Sequence, residues 1–321
     1  MLKASSRLLT VACALILPLT LLGCPSKNNP PVDTSSPGAP AKSASDFDGD
    51  RAFEHVRKQV EFGPRPPGSA ELEKARGYIV DQLKSYGLNV RTDEFQANTP
   101  IGVRKIIVAS HYDTKYFKNI RFVGANDGGS STGAVLEIAR VLAAQKQKPK
   151  FTYWFVFFDG EESFCFGWDE CDVPNPADPA NPLPDNTYGS RHYIAQLIEK
   201  NEVKRMRAMV LLDIIGYKNL KLGRPDLSTR WLLDIVWQTG RQLGHESQFS
   251  GGYESVSDDD HAPFLRVGID AIDLIQLSTY PHWHTKEDTL DKISPKSLKI
   301  IGDTVIVSLP KIEERLVNRP R

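Results

Sequence analysis

The chain has 321 residues, 40 Lys and Arg against 40 Asp and Glu, four Cys and 40% hydrophobic residues. Those proportions exclude a collagenous chain, an intrinsically disordered one and a small disulfide framework. Net charge is zero and no basic run occurs, so the electrostatic footprint of a nucleic-acid binder is missing and no such partner is expected.

Residues 1–23 read as a secretory signal: Lys3 and Arg7 precede an apolar stretch from Leu8 to Leu22, with no acidic residue before Asp33. The stretch is short and interrupted for a spanning helix. Leu21-Leu22-Gly23-Cys24 resembles the lipobox of bacterial lipoproteins, which implies that Cys24 is lipidated and is the only membrane anchor. The alternative is a secreted protein with an incidental Cys. Because Pro25 rather than Asp follows, the resemblance implies a bacterial cell envelope, on the periplasmic side of the outer membrane. Residues 24–45, rich in Pro, Ser, Asn and Ala, bury too little to order themselves and form a disordered tether. Residues 46–321 suffice for one core, without repeats or a second linker, and a monomer is expected. Cys165 and Cys171 remain; pairing and free thiols are both open, since spacing does not fix disulfide geometry.

Ser69 predicts a helix cap, with Leu72, Ala75, Ile79, Leu83 and Tyr86 at helical spacing and Gly87 as its stop. Ile106 to Ala109 and Phe151 to Phe158 are apolar runs without alternation, the pattern of strands covered on both faces. Ala134 to Ala144 is helical by pattern, as are Arg191 to Glu199 and Arg230 to Leu243, while Ala208 to Leu212 and Ala271 to Leu277 read as strands. Ser294-Pro295 starts a last helix with Leu298, Ile301, Val305 and Ile312 on one face. Strands and helices alternate, which is an α/β fold.

His111 and Asp113 follow one strand, Asp159, Glu161 and Glu162 the next, and Asp213 ends a third. In open α/β sheets the carboxyl ends of strands are where ligands bind. His111, Asp127, Glu161-Glu162, Asp213 and His284 together offer the carboxylates and imidazoles that suit zinc. Consecutive side chains point in different directions, so one glutamate can ligate while its neighbour serves as an acid or base. A solvated surface pair is the plain alternative. Asp213 reads equally as a helix cap, and His55, His192, His245 and His261 read as structural.

Ser110-His111-Tyr112-Asp113, Gly124-Ala125-Asn126-Asp127, Asp159-Gly160-Glu161-Glu162, Tyr188-Gly189-Ser190-Arg191-His192, Leu212-Asp213, Asp259-Asp260-His261-Ala262-Pro263-Phe264 and Trp283-His284-Thr285 occur in this order. Over Phe53 to Ile312 the chain resembles the glutaminyl-peptide cyclotransferases. The resemblance implies a single-domain, zinc aminopeptidase-like fold with a mixed, mostly parallel central sheet and helices on both faces. It implies one zinc ion held by Asp127, Glu162 and His284, with Glu161 as general acid/base and Asp213 and Asp259 as an acidic pair at the reacting centre. Trp283, Trp168 and Ile275 are implied in the substrate pocket, although the glutamates stand one residue farther from Trp168 than expected. His111 and Asp113 take supporting or second-metal positions. Asp273 stands where the family's animal members carry His, and residues 172–186, with five prolines, are either a pocket lid or a surface excursion.

The implied reaction closes an N-terminal glutaminyl residue of a peptide or protein to pyroglutamate and releases ammonia. A di-zinc aminopeptidase is the alternative, because His111, Asp127, Glu162, Asp213 and His284 also fill its five ligand positions. A non-enzymatic peptide-binding lipoprotein would need a missing ligand or base, and none is missing.

Overall fold

Asp48 opens the first helix, α1 (Gly49–Phe62), by accepting the backbone N–H groups of Asp50 and Arg51, donors with no partner inside a helix. This is a computed structural model, describing residues 44–93, 105–165, 172–173, 180, 183–256 and 258–319. The signal, Cys24, nearly all of the tether, Trp168, Cys171 and much of the proline-rich segment lie outside the described residues. The next helix, α2 (Ala70–Ser85), is capped by Ser69 as the sequence predicts, and Gly87 takes φ +76 just beyond it.

The order then runs β1 (Lys105–His111), α3 (Gly129–Ala143), β2 (Thr152–Phe158), β3 (Asp172–Val173), β4 (Leu183–Pro184), α4 (Tyr188–Glu199) and β5 (Met206–Asp213). After these come β6 (Arg224–Pro225), α5 (Arg230–Gln242), β7 (Tyr253–Glu254), α6 (Ala262–Arg266), β8 (Asp270–Ile275) and α7 (Pro295–Val317). Four strands form the central sheet in the order β2-β1-β5-β8, and every neighbouring pair in it is parallel. β3 pairs with β4 antiparallel, and β6 with β7 parallel, as two small separate sheets.

Parallel strands need crossovers, and crossover helices cover both faces. On one face Ile106, Val108, Val210 and Ile272 pack with residues of α1, α3, α5 and α7; on the other Ile107, Ala109, Met209, Leu211 and Ala271 meet Ile194 and Leu197 of α4 and Phe264 of α6. That two-sided burial is why β1 and β5 read as unbroken apolar runs. β2 has only β1 as a described partner and is mostly half-buried, so the expectation of cover on both faces is too strong for it.

The elements differ from the sequence reading in places, at α3 for a packing reason. α1 is absent from that reading, and α3 begins at Gly129 rather than Ala134. Gly129 to Gly133 is a poor helix former by propensity. A Cβ on Gly133, however, would sit 2.7 Å from the Ala52 carbonyl oxygen of α1, so small residues there let the two helices meet. Tertiary contact overrides local preference at this junction. α4 likewise starts earlier, at Tyr188, and β8 ends at Ile275 rather than Leu277.

Residues 43–321 make one compact unit. Its first described residues are already docked: the Ser45 hydroxyl donates to Asp303 at 2.5 Å, and Phe47 is buried. Among the described residues no helix is long and apolar enough to cross a membrane.

Candidate active site

Three of the four strands of the central sheet deliver polar residues at or just beyond their carboxyl ends. His111 is the last residue of β1, Glu161 and Glu162 follow β2, and Asp213 closes β5. Asp127 comes from the turn before α3, where Gly128 holds φ +74; a Cβ there would meet the Asp113 carbonyl at 2.6 Å and the His111 ring at 3.1 Å. Only glycine combines that torsion with so close an approach. His284 comes from the loop after β8 and takes φ +54. Ile214, after Asp213, takes φ +47, costly for a β-branched residue. Two of the four non-glycine residues with positive φ among the described residues thus sit where polar groups are aimed.

The side chains converge in two groups that share one carboxylate. Asp127, Glu162 and His284 each offer an atom within 4.8 Å of the others, as do His111, Asp127 and Asp213. His284 Nε2 lies 3.1 Å from Glu162 Oε2 and 3.5 Å from Asp127 Oδ2. His111 Nε2 lies 3.3 Å from Asp127 Oδ1 and 3.1 Å from Asp213 Oδ1, and its Nδ1 is 3.5 Å from Asp113. Asp127 Oδ2 is buried without a hydrogen-bond donor, a costly state for a lone carboxylate oxygen. Carboxylate oxygens and imidazole nitrogens around that orphan are the donor set of a zinc site, so these residues fit a metal ion.

Electrostatics points the same way. Burial, with Glu162 nearby, pushes Asp127 up to about 7. Burial also lifts Glu161 well above the usual carboxylate range, although His111 opposes it. Burial would raise Glu162 too, but His284 beside it wins and holds it low. The opposing burial on His284 is outweighed by Glu162, and its imidazole titrates higher than usual. Asp259 and Asp273 are pushed far up by burial and by their acidic neighbours. This is a buried surplus of negative charge, which a divalent cation or bound protons must offset.

Around this centre Asp113 accepts the backbone N–H of Glu161 at 3.2 Å and of Glu162 at 3.3 Å, fixing the two glutamates from behind. Trp283 is 39% exposed, and its ring stacks on His284 with centroids 4.1 Å apart. Ile275 does not face open space: it is 3% exposed, in an apolar cluster with Ile214, Tyr217, Val256 and Tyr280. It packs against Ile214, the residue that follows β5. Cys165, two residues beyond Ser163, is disulfide-bonded.

Three buried residues carry part of the site although nothing in the sequence singles them out. Arg65 is fully buried and donates to the carbonyls of Gln59, Gly63, Tyr112, Val123 and Gly124. Lys115 donates its backbone N–H to Glu162 Oε1 at 3.1 Å, and its ammonium to the carbonyls of Ser163 and Cys165 at 2.8 and 3.0 Å. Asp288 accepts the backbone N–H groups of Asn126 and Asp127. An Arg or Lys reads as solvent-facing by default, and a lone Asp after a Trp-His-Thr segment carries no periodicity.

Comparison with known proteins agrees with this geometry. The model of peptidase family M28 matches residues 94–309. A glutaminyl-peptide cyclotransferase of Bos taurus is 30% identical over 279 residues, covering 71% of this chain and 73% of its own. The crystal structure of a glutaminyl cyclase from an Acidobacteriales bacterium superposes with a TM-score of 0.73 at 33% identity, covering 87% of this chain and 100% of that one. A leucine aminopeptidase precursor from Bacteroides thetaiotaomicron superposes at 0.68 and 25% identity, covering 84% and 98%.

Proposed function

The chain belongs to peptidase family M28 and, within it, to the glutaminyl-peptide cyclotransferases, and on that premise we propose that it uses one zinc ion to convert N-terminal glutaminyl residues of peptides or proteins to pyroglutamate with release of ammonia. The observation that carries this reading is the convergence of Asp127, Glu162 and His284 around a buried, unpartnered Asp127 oxygen, with Glu161 as the next residue to a ligand. These three side chains would hold the zinc, which when bound supplies Lewis-acid polarisation of the side-chain amide carbonyl.

The nucleophile is the substrate's own α-amine. With an ordinary pKa of about 7.7 to 8.0, a useful fraction is neutral near pH 7, so the protein need not generate a strong base. Glu161 accepts the proton that the amine sheds on attacking the amide carbon and returns it to the departing nitrogen as ammonia leaves. Burial raises its carboxyl well above the usual carboxylate range, which makes it a stronger proton acceptor than an exposed glutamate. Asp213 and Asp259 receive and orient the amine. Trp283, stacked on His284, walls the site so that the chain is held folded back for ring closure, which exploits the large advantage of intramolecular attack. Placement of the protein in a bacterial envelope through Cys24 belongs to the same proposal; the sequence pattern at residues 1–24 supports it.

The His111, Asp127 and Asp213 group favours a second reading, a di-zinc aminopeptidase in which His111 and Asp213, with Asp127, would hold a second ion. One experiment separates them: purified protein is given a Gln-initiated dipeptide and its Leu-initiated counterpart, following ammonia and free amino acids separately. Ammonia from the first alone is the expected result, and free Leu from the second overturns it. Two firmly held zinc ions per chain would likewise favour hydrolysis.

A further inference from the structure

Asp288 lies four residues beyond His284. Its Oδ1 accepts the backbone N–H of Asn126 at 2.8 Å and its Oδ2 that of Asp127 at 3.1 Å. Its own carbonyl accepts from Ala125 at 3.4 Å, so three successive amides of the segment preceding α3 hang from one residue. The Tyr280 hydroxyl donates to Oδ1 at 2.7 Å. Asp288 is fully buried. The turn that carries it is closed by the Thr285 N–H on the His282 carbonyl and the Asp288 N–H on the Thr285 carbonyl, each at 3.1 Å. His284, in its left-handed conformation, lies inside the first of these turns, which shares Thr285 with the second.

We infer that Asp288 is a positioning residue for the metal centre: it ties the backbone of Asp127 to the turn that presents His284, so that two ligands far apart in sequence are held as one rigid pair. The inference rests on the reading of Asp127 and His284 as zinc ligands. Asp127 reaches the centre through a short side chain, so its Cα must be placed correctly before its carboxylate can be. The preceding residue is held as well: Asn126 Oδ1 accepts the Gly216 N–H at 2.7 Å, which ties the same segment to the turn after β5. Without the Asp288 acceptor, the Asp127 backbone and the His284 turn move independently, and each excursion separates the donors.

A matched control exists elsewhere in the fold. Glu313 also accepts two successive backbone N–H groups, of Lys150 and Phe151, and a tyrosine hydroxyl, that of Tyr153, but at the amino end of β2. The test is the rate at which a chromophoric chelator strips zinc from the wild-type holoenzyme, Asp288→Asn and Glu313→Gln, at a temperature where near-ultraviolet circular dichroism shows all three folded. Asn keeps the volume and one acceptor while turning an NH2 towards the other amide. Asp288→Asn is expected to lose zinc about 10- to 100-fold faster, as for loss of an outer partner of a metal ligand, with an unchanged KM for a Gln-initiated peptide when zinc is in excess. Glu313→Gln is expected to melt earlier yet release zinc at the wild-type rate. Wild-type release from Asp288→Asn, or equal acceleration by Glu313→Gln, overturns the inference. A wild-type protein that retains no zinc overturns the functional reading on which it stands.

Discussion

At the amino end of β2, Glu313 of α7 accepts the Phe151 N–H at 3.2 Å with one oxygen, which also takes the Tyr153 hydroxyl at 2.8 Å, and the Lys150 N–H at 3.2 Å with the other. At the opposite end of the sheet, Asp127 Oδ2 is buried without a hydrogen-bond donor, and Asp259, Asp260 and Asp273 are buried carboxyls that this burial pushes up. The same chemical group thus closes a structure at one end and leaves one open at the other. Buried acceptors are normally satisfied, so an end of a fold that joins such a departure to several buried carboxyls is where binding or catalysis belongs, and stability has been given up there.

That contrast can be broken most sharply at Glu161. Exchange to Gln removes the proton carrier while keeping its shape, and cyclisation is expected to fall by about 10² to 10⁴ with zinc content unchanged; a fully active Glu161→Gln would leave the acidic end without its proposed purpose. Exchange of His284 to Ala should abolish zinc retention after dialysis, measured by atomic absorption, because two carboxylates without the imidazole hold the ion poorly. Retention of one equivalent would remove His284 from the ligand set.

A smaller effect sharpens the comparison through pH. Burial holds the His261 imidazole down to about 4, below the roughly 6.5 of an unfolded chain. Between those values the unfolded state takes up a proton that the folded state refuses. This contribution is therefore complete above about pH 6.5 and is lost as the pH falls towards 4, by about 3 kcal/mol. The raised carboxylates act with the opposite sign, so the informative quantity is a difference between variants. Urea unfolding of His261→Gln, which still offers a donor to the Leu227 carbonyl, should depend less steeply on pH than the wild type over that window. An equal slope would show that His261 carries none of it. The mildest case is Glu313→Gln, expected to cost about 1 to 3 kcal/mol in unfolding free energy without altering kcat.

How much of this was readable beforehand differs by residue for physical reasons. β1 and β5 announced themselves because burial on both faces erases alternation, and Ser69 and Ser294 were visible as caps because a hydroxyl before an apolar period has few other uses. The polar residues closing β1, β2 and β5 were legible from position alone, and the motifs around them carried the family. α1 escaped because its buried face mixes Ala52, Val56, His55 and Gln59 rather than presenting a clean apolar stripe. The start of α3 escaped because Gly133 is required by Ala52 across the interface, which sequence neighbours do not reveal. Arg65, Lys115 and Asp288 escaped because a charged residue becomes internal only through what folds over it.

The hydrogen bond from Asp127 to Asp288 spans 161 positions of sequence, which bears on how the protein is made. Its donors are translated early and their anchor late, after α5 and β8 have emerged. A nascent or prematurely terminated chain can therefore build most of its sheet and still lack a competent centre. Such fragments should be inert towards substrate until the segment carrying Asp288 has been made.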